Sequence, residues 1–578
     1  MAVQTFELEL TRVSCFPTAH TRAAAKCAQA VVAPLEHTGR EYHTDEGVIV
    51  PCISVQLRNK LIRVSGQFTE LKKVFKSIQK KPSNDPNAIT REQLIIALRK
   101  CLAATSIFAP FCLPLLIEKL SSDVVYAKKD ALLTLAACAN VYDSRFITEY
   151  VDSLWNYIKK EIFTAADQSI EIACLEAIKN VVGNISIAEE AHACIDGDFV
   201  FSDCKNHLLK PDHKLMKTSA SLLQNVAMAS DMACARVTDQ VIPILLEQFE
   251  LHKQINNQKS ILDAMLGFLQ VAKDFVNKDT AAILKTYKEK LLGLFFSLLV
   301  NHNPLHRSSG VAGLVAMVSS ALLDEQEVMT FLDHLVVLIL DDKEKIVRHE
   351  AKLALAYLSS QFPALVRSRV VVQLTDRLAK KDGSNSMETD NDANTVPVRP
   401  HITHEYLVTT LATLCTSQEN VEYIVPCLVE NLTTLSESTS TNSESYVVCV
   451  VDCLQNIFEG CLRSSLKILD YYKDVIFLRV LNLAIANSLG EQECSFTSAI
   501  LEKFCKLLRT ISSKLSETYS EFIVSTVGEI FLDGKLDRAN LPDGLNKQDF
   551  DVLNPSSPWQ QTQLVMFLTA ILCNISKT

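Results

Sequence analysis

The apolar positions between residues 106 and 142 predict two helices joined by a tight turn. Residues 110–120 are apolar nearly all round, and a helix of that kind must be covered on more than one side. After a polar turn at 121–123, a second helix shows a stripe at helical spacing, made of Ala131, Leu132, Leu135, Cys138, Ala139 and Tyr142. Two such short helices cannot bury all their apolar surface against each other, so we predict similar pairs on either side.

The same pattern recurs along the chain. The predicted pairs are 145–161 with 167–184, 198–209 with 212–229, 235–252 with 256–275, 283–300 with 304–321, and 324–340 with 343–362. Their starts are separated by about 43 residues on average, within the range of HEAT and armadillo repeats. The sequence therefore predicts an all-α fold, an α-solenoid of HEAT/armadillo-type helix pairs.

Two distant pairs match each other residue by residue. Arg348 and Ala351 fall on Lys128 and Ala131 when the turn at Asp341–Asp342 is placed on the turn at 121–122. We expect the turn acid to cap the second helix and the basic residue to reach neighbouring turns along the array. The alanine would allow the two helices of a pair to pack closely.

Four regions follow from composition and pattern. Residues 1–81 are atypical and include a basic amphipathic helix at 58–81, with eight Lys or Arg against the single acid Glu70. This helix is either a cap with a solvated basic face or a docking helix for a partner or acidic lipid.

A first array occupies 82–380, entered through a capping box at Thr90 and Gln93. An acidic flexible linker, 381–400, separates it from a second array, 401–578, which contains helices at 406–415, 421–432, 444–461, 466–487, 495–515, 519–531 and 558–575 and a long loop at 533–557.

Composition excludes several classes of function. We predict no membrane span, because no run of about 18 uncharged apolar residues occurs. The start of the chain carries charges where a signal peptide needs an apolar segment, so we expect an intracellular protein. The net charge of −10 argues against a surface that binds nucleic acid directly. The 18 cysteines contain no C-x-x-C pair and mostly fall within helical stripes, so we interpret them as core residues, with a metal or cluster site as the alternative.

No catalytic motif is present: the chain lacks a phosphate-binding glycine loop, a G-x-S-x-G elbow and an H-E-x-x-H pair. The nearest metal-like groups are His401, His404 and Glu405, then His302 with His306, and the cysteines Cys449 and Cys453, one helical turn apart. We interpret the first as a polar helix start, and the acids Asp341 and Asp342 as caps. We therefore predict a non-enzymatic protein with no catalytic, cofactor-binding or metal-binding residue and no cofactor.

Several stretches match the motifs of one family. Residues 82–94 fit P-x-N-D-P-x-x-I-x-R-E-x-L, and residues 154–163 resemble L-W-x-x-I-x-x-E-V-F. The block F-A-P-F-x-x-P-L-L-I-E-K-L through A-K-x-D-x-L-x-T-L-x-x-C is matched by Phe108, Pro110, Phe111, Pro114, Glu118, Lys119, Lys128, Asp130, Leu135 and Cys138. Residues 241–249, 266–269 and 531–534 agree as well. From residue 82 onward the chain resembles the MMS-nineteen family, the large HEAT-repeat subunit of the cytosolic iron–sulfur targeting complex.

This resemblance implies an adaptor. The family joins the late assembly machinery, a WD40 propeller protein and a DUF59-type protein, to apoproteins that need clusters. Those apoproteins include DNA helicases, polymerases and the repair helicase of TFIIH. The resemblance thus implies roles in nucleotide excision repair, genome stability and chromosome segregation, and a location in nucleus and cytoplasm, with the spindle as a further candidate.

The chain departs from the family pattern in two places. Residues 1–81 do not resemble it, and we expect the family's C-terminal docking repeats to lie beyond residue 578, which would affect binding of the assembly machinery. A HEAT-repeat adaptor of another class, for nuclear transport or as a phosphatase scaffold, is the alternative.

Overall fold

The computed structural model describes residues 91–164, 167–186, 198–211, 214–275, 279–379, 403–435, 442–464, 497–513, 517–532 and 558–573, and every structural statement below refers to these. They form helices and turns without a strand. Several predictions lie outside the described residues: the N-terminal region 1–81, the capping box at Thr90, the linker 381–400, the helix at 466–487 and the loop 533–557. They stay predictions, as do the boundaries of the four regions.

The first ten α-helices are α1 (Arg91–Leu102), α2 (Ala109–Leu120), α3 (Val125–Ala139), α4 (Ser144–Thr164), α5 (Gln168–Ser186), α6 (Asp198–Leu208), α7 (Lys214–Ala227), α8 (Asp231–Leu251), α9 (Ile255–Ala272) and α10 (Asp279–Leu299). Short 3₁₀ turns precede α2 (Ser106–Phe108) and follow α9 (Lys273–Phe275).

The remaining helices are α11 (Pro304–Ser319), α12 (Glu325–Asp341), α13 (Lys345–Gln361), α14 (Pro363–Val366), a π-helical segment (Arg367–Val371), α15 (Val372–Ala379), α16 (His404–Thr413), α17 (Gln418–Leu435), α18 (Asn442–Arg463), α19 (Ser498–Ser512), α20 (Glu517–Phe531) and α21 (Pro558–Leu572). The pairs predicted to start at 110, 145, 198 and 324 start at 109, 144, 198 and 325, so the 3.6-residue period located them well.

The chain divides into two compact units within α10. Unit 1 is Met1–Leu291 with Ser319–Leu322, and unit 2 is Leu292–Val318 with Leu323–Thr578. In unit 1, the first helices of the pairs, α2, α4, α6 and α8, form layer A. The helices α1, α3, α5, α7 and α9 pack side by side in that order as layer B.

Unit 2 has the same two layers. Layer A contains α12, the stretch from α14 through α15, and α17, which pack in that order. Layer B contains α13, α16, α18, α19 and α21, each packed on the next. Each unit is therefore a row of helix pairs in two layers, and the predicted α-solenoid class is confirmed.

Side-chain caps explain several helix starts. The hydroxyl of Ser230 accepts a hydrogen bond from the N–H of Ala233 at 3.1 Å, and Thr403 and Thr497 act in the same way before α16 and α19. At α12, Asp324 and Glu327 satisfy each other's backbone N–H groups at 2.9 and 2.8 Å in a reciprocal capping box. Each of these polar side chains satisfies backbone N–H groups at a helix start, so the helix can begin directly after a short turn.

The helices between residues 363 and 379 are not predicted by the sequence pattern, in which the last pair of the first array ends at 362. Pro363 occupies the first turn of α14, where a missing N–H costs nothing. The chain then passes through the π-helical segment, whose extra residue shifts the apolar period. The β-branched run Val370, Val371 and Val372 further obscures a helical pattern.

Helix α18 is long and apolar enough to cross a membrane by length and composition, as is a pair formed by parts of α1 and α2 that is bent by 96°. More than half of the apolar window in α18 is buried inside the protein. It packs between α16 and α19, so its apolar residues have protein neighbours on both sides. Its composition is explained by a core position in layer B.

Candidate protein-binding surface

Charged side chains join neighbouring helix pairs in unit 1. The Nζ of Lys128 on α3 lies 2.6 Å from the Oε1 of Glu161 on α4, and both side chains are largely buried. Asp203 on α6 accepts hydrogen bonds from the indole N–H of Trp155 at 2.8 Å and from the Nζ of Lys159 at 2.5 Å. Burial opposes ionisation of Asp203, but these two donors outweigh it and lower the pKa of the carboxyl. These contacts tie adjacent pairs into a row.

The corresponding contact in unit 2 is the ion pair between Arg307 of α11 and Asp342, which follows α12. The Nε and Nη2 of Arg307 lie 2.6 and 2.8 Å from the two carboxylate oxygens, and only 5% of the Asp342 side chain is exposed. A remaining guanidinium nitrogen of Arg307 donates to the carbonyl oxygens of Asn301 and His302. The site is therefore a bidentate, well-satisfied ion pair.

The sequence predicts that Arg348 reaches a neighbouring turn, and this prediction is wrong. Its Nη1 donates to the carbonyl oxygen of Asp342 in its own turn at 2.7 Å, and its guanidinium lies 5.7 Å from the ring centroid of Tyr406 on α16. The residue that binds the next turn is Arg307. Like Arg348, which Ala351 follows, Arg307 is followed three positions later by a small residue, Gly310. Lys128 likewise contacts a helix, not a turn.

Asp342 does not cap the second helix as predicted. Its Oδ1 accepts the N–H of Glu344 at 2.9 Å, one residue before α13 begins. The carboxylate stays outside the helical turn because Arg307 holds it in the junction between the pairs. Asp342 therefore fixes the turn and the row of pairs together.

The histidine candidates take structural positions. The ring of His404 packs edge-on against Tyr446 at 6.1 Å, and Glu405 accepts a hydrogen bond from the hydroxyl of Ser445 at 2.5 Å. His306 is buried within α11. His401 lies outside the described residues. Within the described ranges no three His, Cys, Asp or Glu side chains are grouped so that they could hold a metal ion.

Most of the described cysteines are buried. The sulfur atoms of Cys112 and Cys138 lie 4.0 Å apart between α2 and α3, where both side chains are inaccessible to solvent. Burial raises the pKa of Cys174 and of Cys204 to about 12, so these thiols remain protonated. They act as small apolar residues.

Two half-buried cysteines on paired helices differ in their surroundings. Burial raises the pKa of Cys427 on α17, and the carboxylate of Glu430 raises it further. On α18, the hydrogen bond with the Cys453 thiol lowers the pKa of Cys449 against the effect of burial, and the ammonium of Lys352 adds to the lowering. The carboxylates of Glu405 and Asp452 act in the opposite direction on Cys449, so the hydrogen bond with Cys453 is the main cause of its lowered pKa.

Charge is distributed unevenly between the helices of unit 2. Helices α12, α17 and α20 each carry three or four Asp or Glu and no Lys or Arg. In layer B, α13 carries Lys345, Arg348 and Lys352 against the single acid Glu350, and α19 carries Lys503, Lys506 and Arg509 against Glu502. No motif marked this difference, although the absence of any base from residues 418–435 can be read directly from the sequence.

Among the side chains that the structure describes, one large apolar residue is exposed within each of the three acidic helices: Val337 at 55%, Tyr423 at 40% and Val524 at 44%. Acids lie one turn away on the same side of the helix, namely Asp333 and Asp341 for Val337, Glu419 for Tyr423, and Glu521 for Val524. We call Val337, Tyr423 and Val524 the acid-flanked side chains. In unit 1, most of the large apolar side chains described as exposed within the paired helices lie in layer B, on α1 (Ile96), α3 (Val125, Tyr126), α5 (Ile172) and α9 (Ile255), and layer A exposes Leu251 of α8.

Two family models match the chain. Residues 78–164 match the N-terminal MMS19 model, described as a Dos2-interacting transcription regulator of RNA-Pol-II. Residues 407–578 match the C-terminal model, described as an RNAPII transcription regulator C-terminal domain. The chain belongs to the MMS19 family.

Curated MMS19 proteins are similar over most of the chain. The MMS19 nucleotide excision repair protein homolog of Xenopus tropicalis is 30% identical over 509 residues, covering 86% of this chain and 49% of the relative. The Homo sapiens protein is 30% identical over 511 residues, covering 86% and 48%. The DNA repair/transcription protein mms19 of Schizosaccharomyces pombe is 30% identical over 177 residues, covering 30% and 16%. The chain spans about half the length of the vertebrate relatives that it matches.

Solved structures that resemble the chain include Kap121p and importin beta. Kap121p covers 99% of this chain and 54% of its own length, with 14% identity and a TM-score of 0.39. Importin beta gives a TM-score of 0.35 at 10% identity and covers 99% and 72%. The fold class of the MMS19-family chain rests on its own helix pairs.

Proposed function

We propose that this chain serves as a non-enzymatic adaptor of the cytosolic iron–sulfur targeting complex. In this role it would bring the late assembly machinery to apoproteins of DNA replication and repair, and so support nucleotide excision repair and genome stability. The observation that carries the proposal is the similarity to MMS19 proteins over 86% of the chain. The cluster is cargo for the client, not a resident group of this chain.

The proposal extends to partners and location. We expect contacts with a WD40 propeller protein and a DUF59-type protein on one side, and with apo helicases, polymerases and the TFIIH helicase on the other. Contacts are with proteins, without direct nucleic-acid binding and without a membrane span. The chain would work in nucleus and cytoplasm, with links to chromosome segregation and the spindle.

The described residues suit an adaptor. Rows of helix pairs offer long outer surfaces built from many helices, which can hold a partner through distributed contacts. Most described thiols are buried, and burial keeps those of Cys174 and Cys204 protonated. A protonated, buried thiol is a poor metal ligand, so this arrangement supports delivery through protein contacts rather than cluster ligation by the adaptor.

Affinity purification of the tagged full chain from cytosol tests the proposal. We expect mass spectrometry to recover the propeller protein and cluster-dependent DNA enzymes, and depletion of the chain to lower the iron content of a recovered helicase. Recovery of neither class of protein would remove the proposal. A small GTPase bound in a nucleotide-sensitive way would identify a transport receptor instead, and a phosphatase catalytic subunit would identify a phosphatase scaffold.

A further inference from the structure

Two thiols meet in the core of the helix pair formed by α2 and α3. Cys112 lies in the first turn of α2 and Cys138 in the last turn of α3, and their sulfur atoms are 4.0 Å apart. Both side chains are 0% exposed. The two residues are 26 positions apart in sequence, so the packing of α2 on α3 brings them together. We call Cys112 and Cys138 the dithiol.

The surroundings of the dithiol favour a thiolate on Cys138. The hydrogen bond with the Cys112 thiol lowers the pKa of Cys138, and burial acts against this effect. The hydroxyl of Tyr142 and the guanidinium of Arg99 also lower the pKa of Cys138. Arg99 lies 4.0 Å from the carboxylate of Asp130, and its buried Nε has no hydrogen-bond partner among the described residues. Cys138 is therefore the nucleophile of the pair.

Cys112 is suited to the second role, that of a protonated neighbour. The hydrogen bond with Cys138 raises the pKa of Cys112, and burial raises it further. A thiol that keeps its proton beside a thiolate can deliver that proton to a leaving group. The two sulfur atoms therefore differ in character although both are buried in the same core.

The dithiol lies close to a helix end. Tyr142 follows α3, interacts with both thiols and donates its hydroxyl proton to the carbonyl oxygen of Leu102 at 2.8 Å. Tyr142 is 2% exposed, whereas the preceding Val141 is 46% exposed. Helix ends and turns open locally at a much lower free energy than the core of a unit. A small oxidant can therefore reach the sulfur atoms through an opening of this turn, without unfolding of the unit.

A covalent bond between the two sulfur atoms requires only a short movement. Sulfur atoms in a disulfide are about 2 Å apart, so those of Cys112 and Cys138 must approach by about 2 Å. Rotation about the Cα–Cβ bond of each side chain moves its sulfur. The turns before α2 and after α3 can adjust as well, because both residues lie in the terminal turn of their helix.

We propose that Cys112 and Cys138 form a reversible disulfide when the chain meets hydrogen peroxide, and that this bond locks layer A to layer B in the pair of α2 and α3. The site is a redox-sensitive element of the solenoid. The proposal does not rest on the adaptor role.

The reaction has two steps. The Cys138 thiolate attacks one oxygen of hydrogen peroxide, the O–O bond breaks, the leaving hydroxide takes up a proton, and Cys138 becomes a sulfenic acid. The Cys112 sulfur then attacks the Cys138 sulfur, so that the S–S bond forms, the S–O bond breaks, and the hydroxyl leaves as water with the Cys112 proton. Two thiols are oxidised and one peroxide is reduced to two molecules of water. A small thiol reverses the bond by exchange.

Peroxide treatment of the purified, reduced full chain tests the proposal. Peptide mass spectrometry under non-reducing conditions should find the Cys112 and Cys138 peptides linked, and dithiothreitol should separate them. Trypsin leaves Cys101 and Cys112 in one peptide, so fragmentation must assign the linked residue. The disulfide closes a loop in the unfolded chain, and we expect it to raise the unfolding temperature of the oxidised chain by about 5 °C.

Matched variants assign the effect to the dithiol. Cys112→Ala and Cys138→Ala should each abolish the link and the thermal gain. Cys174→Ala removes another fully buried thiol, whose pKa burial raises to about 12, and should leave both unchanged. Circular dichroism confirms that each variant is folded, and the peptide map of the wild type does not depend on any variant.

The exposed Cys573 shows that the oxidant has acted, because its thiol is open to solvent. The proposal is overturned if Cys573 is oxidised while Cys112 and Cys138 stay unlinked, or if either of them is linked to Cys101 instead. A thermal gain that persists in Cys112→Ala would also overturn it. None of these results depends on whether iron–sulfur enzymes are recovered from cytosol, so the two proposals can fail separately.

Discussion

Asp341 and Asp342 are adjacent in sequence but belong to different regions of unit 2. The side chain of Asp342 is 5% exposed and is held by Arg307 in the junction between two helix pairs. Asp341 is exposed at the end of α12, one turn after the exposed Val337. The comparison teaches that burial decides whether a charge on this chain supports the row of helix pairs or lies on the surface.

The largest expected loss of stability comes from a substitution in the junction between the helix pairs. Asp342→Ala leaves the guanidinium of Arg307 buried without its carboxylate, and removal of one partner of a buried pair costs about 3 kcal/mol. The variant should therefore lower the free energy of unfolding in a urea titration by that amount. Asp341→Ala is the matched control and should change it by less than about 0.5 kcal/mol. Equal losses in the two variants would contradict the distinction between junction and outer surface.

A second test compares two glycines. A Cβ at Gly313 of α11 would lie 2.3 Å from the ring of the buried Phe295, so Gly313→Ala forces two helices apart. We expect a loss of about 2 kcal/mol from overpacking. A Cβ at Gly293 of α10 meets nothing within 4 Å, so Gly293→Ala should stabilise the exposed helix by about 0.5–1 kcal/mol. Thermal unfolding of both variants should show shifts of opposite sign.

In unit 1, the contribution of a half-buried charge can be measured from the pH dependence of stability in Asp203→Asn. The substitution removes the charged acceptor for Trp155 and Lys159, and we expect a loss of about 1 kcal/mol at neutral pH. The pKa of Asp203 is lowered in the folded chain, so its stabilisation is present above the unfolded value near 3.9 and disappears as pH falls through the folded value. The gap in stability between the wild type and Asp203→Asn should therefore close in acid. A gap that stays constant down to pH 2 would argue against this carboxylate as the source.

The smallest effect concerns thiol chemistry on α17 and α18. The pKa of Cys449 is lowered and that of Cys427 is raised, and alkylation proceeds through the thiolate. Iodoacetamide at pH 7.5 should therefore label Cys449 before Cys427, as followed by peptide mass spectrometry. Glu430→Gln should speed labelling of Cys427, and Lys352→Met should slow labelling of Cys449. No change in either variant would show that the nearby charges do not control these thiols.

Much of the fold could be predicted because each helix carries its own signal. The 3.6-residue apolar period and short polar turns located the pair at 324–362 to within two residues of α12 and α13. Residues 363–379 escaped because a proline starts a new helix there and the π-helical segment breaks the period. The signal fails where local backbone geometry departs from a regular helix.

The candidate surface was harder to predict. In the run Leu335, Val336, Val337 and Leu338, only Val337 is exposed, and nothing in four consecutive apolar residues distinguishes it. The acids around Val337 and Tyr423 are visible in the sequence as helices without Lys or Arg. Whether these acids are exposed depends on which side of the helix packs against the other layer, and the sequence does not show this.

By itself the sequence determined the helix pairs, their register and the family, because these depend on residue order along one or two helices. Tertiary structure decided the partners of the charges. Arg307, rather than Arg348, binds the carboxylate of Asp342, since the packing of one helix pair on the next brings together side chains 35 residues apart. It also decided that Asp341 and Val337 face outward while Asp342 is enclosed, because burial depends on the neighbouring helices and not on the residue alone.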